Sequence, residues 1–282
     1  MVAITIALLL SPCAGNCRGQ SLRLPEIERR YDAVVLIADA QSGQILGGAR
    51  IGEARESRYY PGSLFKLAIA VAALRSGGFD RSFTCTCSGK DTIGEDERTC
   101  WKHNGHATIG FSRALSESCN LYFRQVARSL STDEIAQAAR SIGMVPSEAD
   151  ADALGRLDED NLLGEAFTVS PAQMLQVAVT LASRGRVSPS GTSLFGAAFK
   201  PLYDGLRACT HSGTGKGAWN RKFSIAGKTG TSEIPGRTDI TVGWFVGFAP
   251  IEQPRYAIVV MQRRARGAEA AIVARKALEK LM

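Results

Sequence analysis

The sequence predicts an α/β protein in which a sheet built from both ends of the chain is flanked by helices and an all-helical subdomain is inserted between the strands. Two observations carry this reading. Strand-like runs occur near the start, in YDAVVLIADA and ILGGARIG around a QSGQ turn, and again near the end, in KFSIAGKTGTS, TDITVGWFVGFAP and RYAIVVMQRR. Between them the apolar residues recur at helical spacing, and GAEAAIVARKALEKLM closes the chain as an amphipathic helix. A site is expected in the cleft between the two parts.

Taken in order, residues 1–17 (MVAITIALLLSPCAGNC) read as a signal or leader segment. The apolar run, about ten residues, is too short to span a bilayer but matches the apolar part of a signal peptide, and small residues follow it. No Lys or Arg precedes Arg18, so the signal is atypical or the true start lies upstream. Residues 18–30 read as a linker containing PEIERR, a short helical lead-in, and residues 31–282 read as one domain. Its helical subdomain spans roughly residues 63–185. It opens with PGSLFKLAIAVAAL, a helix stopped near Ser76 by Gly77-Gly78. TIGFSRALSES and NLYFRQVARSL read as two helices joined near Asn120. Ser131 and Glu134 form a capping box for a helix ending at Gly143. Residues 145–165 are acidic and irregular, and Ser170-Pro171 starts a helix that runs to Gly185.

The chain has 282 residues, ample for a large core, with 45% hydrophobic and 22% charged residues and a net charge of +7. The charges are spread out, and no basic run is interleaved with aromatics, which argues against a nucleic-acid partner. A basic surface suits an acidic polymer or a membrane surface. Of the seven cysteines, Cys13 and Cys17 lie in the leader and Cys85, Cys87 and Cys100 cluster in FTCTCSGKDTIGEDERTCW. Export favours a disulfide, with Cys87 and Cys100 the expected pair and Cys85 an alternative partner. Free thiols and a zinc site using Cys85, Cys87, Cys100, His103 and His106 are the other readings. The spacing matches no standard zinc module, so no metal is expected.

Three short stretches carry chemistry. In PGSLFK, Ser63 and Lys66 share one face of a helix start, where backbone N–H groups and the dipole favour developing negative charge. Lys66 is the only charge in its apolar run, and a buried lysine is costly unless paired or neutralised. The pair suits a serine nucleophile with a lysine base; the plain alternative is a capping serine beside a lysine reaching to solvent. Ser118-Cys119-Asn120 puts a hydroxyl and an amide at a helix junction, where such residues are also ordinary. In Gly227-Lys228-Thr229-Gly230-Thr231, Lys228 and Gly230 share one strand face and the threonine hydroxyls suit a substrate carboxylate. A phosphate loop would need glycine five positions before Gly227, where Lys222 stands, so nucleotide binding is rejected.

In the order Ser-x-x-Lys, Ser-x-Asn, Lys-Thr-Gly, the three form the signature of penicillin-recognising serine enzymes. From about Tyr31 to the C-terminus the chain resembles the transpeptidase domain of penicillin-binding proteins; CWKHNGHATIGFSRALSESCNLYF and GEAFTVSPAQMLQVAVTLASRG are similar to that family around the second motif and before the final strands. The resemblance implies a β-lactamase/transpeptidase-like fold with a mainly antiparallel sheet. It implies that Ser63 attacks the penultimate D-alanine carbonyl of a peptidoglycan stem peptide and that Lys66 takes its proton. Ser118 would relay a proton to the leaving amine, and Asn120 would hold Lys66 and the substrate amide. Lys228, Thr229, Gly230 and Thr231 would bind the terminal carboxylate, and the backbone N–H groups of Ser63 and Thr231 would form the oxyanion hole. No metal or organic cofactor is implied, β-lactams are expected covalent ligands, and the setting is the periplasm or the outer face of the cytoplasmic membrane.

The sequence departs from the family in lacking a glycosyltransferase domain and a long pedestal, so a membrane or cell-wall protein partner, or a longer start, is expected to supply the anchor. His106-Ala107 replaces the common His-Gly, and Cys85 is an extra cysteine. Two other functions compete. A serine β-lactamase would need a base such as Glu159 or Glu165 to activate the deacylating water. A sensing domain would bind β-lactams or wall peptides without turnover, but the intact motifs argue against it. Carboxypeptidase and transpeptidase outcomes stay open, since they differ only in whether water or an amine accepts the acyl group.

Overall fold

The computed structural model describes residues 22–282 except 94–95, 148–149, 151, 159–160, 186–195 and 235. The leader with Cys13 and Cys17, the first part of the linker and Glu159 lie outside the described residues. After β1 (Leu22–Arg23) and α1 (Pro25–Arg30), the chain forms the hairpin of β2 (Ala33–Asp39) and β3 (Ile45–Ala49). It then leaves the sheet through α2 (Lys66–Arg75), four short strands β4 (Thr84–Cys87), β5 (Lys90–Ile93), β6 (Asp96–Thr99) and β7 (Ala107–Gly110), and five helices. These are α3 (Phe111–Ser116), α4 (Asn120–Arg128), α5 (Thr132–Ser141), α6 (Pro171–Ala182) and α7 (Lys200–His211). It returns as β8 (Ala226–Ile234), β9 (Arg237–Ala249) and β10 (Tyr256–Arg263), and ends in α8 (Gly267–Leu278).

The main sheet has the order β1-β3-β2-β10-β9-β8, so an early strand, β2, lies beside a late one, β10. Every pair is antiparallel except β1 with β3, as the sequence predicts for a mainly antiparallel α/β fold. The period-two alternation of β2 explains its continuous apolar run. Val34, Leu36 and Ala38 enter the core shared with α2 and α6, while Val35 and Ile37 face Ala270, Val273 and Ala274 of α8 on the other side. Capping boxes at Ser131 and Ser170 start α5 and α6. Among the described residues, no helix is long and apolar enough to cross a membrane.

Three local differences from the sequence reading have physical causes. The cysteine-rich loop is built of strands: β4 pairs with β7 and β5 with β6. The helix read from TIGFSRALSES therefore starts only at Phe111, because Ala107–Gly110 are spent on pairing with β4. Helix α7 lies where the sequence suggested no element. Its Pro201 and Gly205 weaken the local signal, yet Gly205 lets α3 approach so closely that an added Cβ would meet Leu115 Cδ2 at 2.8 Å and the Ser112 carbonyl at 3.0 Å.

The segment leading to Ser63 is clamped onto the sheet. Arg263, at the end of β10, donates to Tyr59 Oη at 2.9 Å, Asp32 Oδ1 at 2.8 Å and Glu53 Oε2 at 2.6 Å. The Tyr60 carbonyl accepts from Ser232 Oγ at 2.7 Å and from Trp244 Nε1 at 3.0 Å. These bonds fix the approach of Pro61 to strand β8. Leu36 is fully buried, so Leu36→Ala is expected to lower stability by about 2–5 kcal/mol, whereas Ser131→Ala, which removes only a helix cap, should cost about 1 kcal/mol. Urea-unfolding midpoints of the two variants check both the sizes and their order.

Candidate active site

Ser63 lies in a tight turn, Gly62–Phe65, that runs directly into α2 at Lys66. Gly62 has φ of +51°, and a Cβ there would lie 2.4 Å from the Thr231 carbonyl, so only glycine lets this turn seat against β8. The turn points Ser63 into the cleft and Lys66 inward. Lys66 is fully buried, and its Nζ donates to Ser63 Oγ at 3.0 Å, the Ser118 carbonyl at 2.9 Å, Ser118 Oγ at 3.2 Å and Asn120 Oδ1 at 2.6 Å. Lys228, also fully buried, donates to the same Ser118 Oγ at 2.9 Å and to the Thr229 carbonyl at 2.7 Å. Ser118 therefore sits between two lysines. It does so at a φ of +55° on the turn between α3 and α4, a conformation L-residues rarely adopt.

Two cations so close, with only neutral oxygens as hydrogen-bond partners, are held below their ordinary range. Burial first, and the charge of Lys228 second, lower Lys66 from 10.5 to about 7, against opposing attraction from Cys100, Cys119 and Glu165. Burial lowers Lys228 to about 8. A substantial fraction of Lys66 is thus neutral near pH 7, with its nitrogen in hydrogen-bond contact with a serine hydroxyl. That is what a general base requires.

The cleft above has a volume of about 820 Å³ and is lined by Ser63, Ser118, Asn120, Thr229 and Thr231, with Trp101 and Glu165 on its walls. Glu165 is pushed above the usual carboxylate range by burial, opposed by Lys66 and Arg124. Thr229 Oγ1 is 2.6 Å from Thr214 Oγ1, which also lines the cleft. Thr231 Oγ1 accepts from the Gly267 N–H at 3.0 Å, at the start of α8. Gly230 packs so that a Cβ would meet the Pro61 carbonyl at 2.8 Å, keeping β8 against the Ser63 turn.

Behind the Ser118–Asn120 turn lies a second cluster. Cys87, Cys100 and Cys119 are free thiols, so the expected Cys87–Cys100 disulfide is not formed. The pairing of β4 with β7 brings His106 up to both sulfurs: its Nδ1 lies 3.4 Å from Cys87 Sγ and 3.6 Å from Cys100 Sγ. The four donor atoms of Cys87, Cys100, His106 and Cys119 all lie within 4.8 Å of one another. Cys100 is held down to about 4 by a hydrogen bond from Cys119, with N–H bonds from Lys102 and Asn120, and against its burial; Cys119 is correspondingly raised. Three sulfurs and an imidazole are the donors of a soft divalent metal site, of which zinc is the common case. His106 fits it further, since its Nε2 faces the Glu117 carboxylate at 3.6 Å, as a ligating histidine's second nitrogen commonly does. The sequence reading expected a Cys87–Cys100 disulfide and, as an alternative, a zinc site of Cys85, Cys87, Cys100, His103 and His106; the structure gathers Cys87, Cys100, His106 and Cys119 instead.

A family model described as the penicillin binding protein transpeptidase domain matches residues 33–282. The chain belongs to that family. Among curated relatives of this transpeptidase family, the peptidoglycan D,D-transpeptidase MrdA of Acinetobacter baumannii is 24% identical over 77% of this chain and 41% of its own length. The peptidoglycan D,D-transpeptidase PbpA of Mycolicibacterium smegmatis is 26% identical over 88% of this chain and 62% of its own. The chain thus spans less than two thirds of either relative. Among solved structures, a complex between penicillin-binding protein PBP2 and MreC from Helicobacter pylori superposes with a TM-score of 0.75 at 19% identity, over 91% of this chain and 61% of that one. The D,D-transpeptidase domain of a peptidoglycan glycosyltransferase from Eggerthella lenta gives 0.74 at 18%, over 92% and 81%. At these identities the structures speak to the fold, which is that of the family.

All the residues picked from the three motifs converge on one cleft of this transpeptidase fold, with Lys66 and Lys228 beneath its floor. Thr214 and Trp101 lie in the same cleft but outside those motifs, in stretches that carry no periodic or spacing signal. Because the charge of Lys228 depresses Lys66, Lys228→Ala should raise the Lys66 pKa. The rate of acylation by penicillin should climb through about pH 7 in the unaltered protein and through a higher pH in the variant. Stopped-flow acylation profiles between pH 5.5 and 9.5 check this; superimposable profiles would show that Lys66 is not the titrating base.

Proposed function

We propose that the chain is a serine acyltransferase acting on the D-Ala-D-Ala ends of peptidoglycan stem peptides, a D,D-transpeptidase in the first instance, with D,D-carboxypeptidation as the outcome when water is the acceptor. The observation that carries the reading is the neutralised, fully buried Lys66 with its nitrogen 3.0 Å from Ser63 Oγ. Ser63 Oγ attacks the penultimate D-alanine carbonyl as Lys66 takes its proton. The backbone N–H groups of Ser63 and Thr231 receive the developing oxyanion. Lys66 then returns a proton through Ser118, whose hydroxyl bridges both lysines, to the departing D-alanine amine. Asn120 fixes Lys66 through Oδ1 and offers its amide edge to the substrate. Thr229 and Thr231 meet the terminal carboxylate, and Lys228 adds positive field from below the strand. β-Lactams acylate Ser63 because they present the same carbonyl and carboxylate.

The names of the two curated relatives support this substrate class. Export to the periplasm or to the outer face of the cytoplasmic membrane is part of the reading, because its substrate lies there. So is a membrane or cell-wall protein partner, supported by the Helicobacter pylori PBP2 solved with MreC. A serine β-lactamase is the second reading, and one observation favours it: Glu165 lines the same cleft as Ser63.

Incubation with fluorescent penicillin separates these readings. The transpeptidase reading expects a stoichiometric adduct that persists for many minutes, is absent in Ser63→Ala and forms at least about 10²-fold more slowly in Lys66→Ala, the scale of general-base catalysis. Rapid release with turnover, abolished by Glu165→Gln, would establish the β-lactamase instead, and no adduct in the unaltered protein would sink the Ser63 mechanism. Release of D-alanine from a D-Ala-D-Ala peptide, with and without an amine acceptor, then assigns the acceptor.

A further inference from the structure

The cleft holds a hydroxyl that the reaction sequence above does not use. Thr214 lies on the segment between α7 and β8, outside the three motifs, and it lines the cleft. That segment is seated without slack. A Cβ on Gly213 would lie 2.3 Å from the Ser116 carbonyl, and a Cβ on Gly215 would lie 3.1 Å from Cys209 Sγ. The Thr214 N–H donates to the Ser116 carbonyl at 3.1 Å, which satisfies an acceptor at the C-terminal end of α3. With its backbone held in this way, Thr214 sets its Oγ1 2.6 Å from Thr229 Oγ1.

The number of protons decides what this contact can do. A threonine hydroxyl has one proton to donate and two lone pairs to accept. If Thr229 gives its proton to Thr214, only the lone pairs of Thr229 face the cleft, and they repel a carboxylate. If Thr214 gives its proton to Thr229, the Thr229 proton can turn into the cleft, where an anionic substrate end accepts it. The other neighbours of Thr214 Oγ1 leave the second arrangement open. The Ser116 carbonyl is a long contact at 3.3 Å and already has the Thr214 N–H. Cys209 Sγ, at 3.5 Å, is a weak donor that can give its proton to Thr214. Cys209 is fully buried, so its thiol heads a line of donors, from Cys209 to Thr214 to Thr229, that ends at the cleft. Hydrogen bonds in such a line polarise one another.

We propose that Thr214 is a positioning residue for the substrate's terminal carboxylate: by donating to Thr229 Oγ1 it turns the Thr229 proton into the cleft, and so sets a preference for an anionic over a neutral substrate end. Thr231 works in parallel, since its Oγ1 accepts the Gly267 N–H at 3.0 Å and keeps its own proton for the substrate. This role rests on the acyl-transfer reading above, and it assigns part of the site's selectivity to a side chain that acts through Thr229.

The test compares benzylpenicillin with its methyl ester, which lacks the carboxylate charge, as acylating agents of the full chain. Adduct formation is followed by intact-protein mass spectrometry, and each variant is scored by the ratio of its two second-order rates. Thr214→Val keeps the shape of the side chain and loses its proton. Its benzylpenicillin-to-ester ratio should fall at least about fivefold, a size in keeping with a hydrogen bond to a charged group. Thr214→Ser, which restores the hydroxyl, should restore the ratio, whereas a packing defect would slow both reagents alike. Because Thr214 acts through Thr229, the double variant Thr214→Val, Thr229→Val should react with benzylpenicillin no more slowly than Thr229→Val alone. Thr214→Ala carries the same expectations if the valine variant does not fold. An unchanged ratio in the Thr214 variants, or additive losses in the double variant, would overturn this role while leaving the acylation of Ser63 in place. No adduct with either reagent in the unaltered chain would overturn the acyl-transfer reading and this role together.

Discussion

The structure depends on burying two lysines beside one serine hydroxyl. Lys66 and Lys228 are both fully removed from solvent, and their hydrogen-bond partners are hydroxyl, amide and carbonyl oxygens. Two like charges in that setting repel, and each loses its hydration. The molecule relieves this by lowering both pKa values, so that at least one nitrogen can be neutral near pH 7. The sign of the linkage follows: the unfolded chain binds more protons than the folded one from about pH 7 up to the ordinary lysine range, so these groups weaken the fold at neutral pH and weaken it less as the pH rises. A stabilising arrangement would place a carboxylate against each lysine. This one gives up that stability and leaves Lys66 able to serve as the proposed base.

The rest of the architecture keeps the two lysines in place. Lys66 comes from the first turn of α2 and Lys228 from near the start of β8, elements far apart in the chain. Their meeting requires that the early hairpin and the late strands share one sheet, which the pairing of β2 with β10 provides. It also requires that the Ser63 turn lie flat on β8, which Gly62, Gly230 and the hydrogen bonds to the Tyr60 carbonyl secure. The helical insertion supplies the third side by bringing Ser118 and Asn120 up to Lys66.

How much of this was legible in the sequence depends on whether the signal is local. Ser63 and Lys66 announce themselves by helical spacing, and the apolar run around Lys66 already implies a buried charge in need of partners. The strands β2, β8, β9 and β10 read as strands bounded by turn signals, α5 from its capping box and α6 from Ser170-Pro171 at its start. The cysteine cluster was only partly legible, because strand pairing assembles it: His106 reaches Cys87 only because β7 lies along β4, with the His106 N–H bonded to the Cys87 carbonyl at 2.8 Å. Spacing could suggest that Cys87, Cys100 and His106 are neighbours but not that Cys119 joins them while Cys85 and His103 stay out. Ala107 is a related case. Its φ of +55° is the conformation that glycine favours, so the chain bears a strain of about 1–2 kcal/mol there, next to His106.

Ser118 carries a similar strain at φ +55°. A residue stays in that region only where its surroundings over-determine it, and here they do so from both sides. In front, the Ser118 carbonyl and hydroxyl both accept from Lys66, and the hydroxyl accepts from Lys228 as well. Behind, the Cys119 N–H is bonded to the Ala114 carbonyl at 2.9 Å, Cys119 is buried among the sulfurs, and the Asn120 N–H reaches Cys100. Three consecutive residues thus alternate between two clusters, and the left-handed turn at Ser118 is what lets them face opposite ways. The front cluster alone could not fix the turn, because its lysines repel and change protonation during the chemistry assigned to them. The rigid anchor for the Ser118 hydroxyl is therefore the set of contacts behind it, which takes no part in the proposed proton transfer.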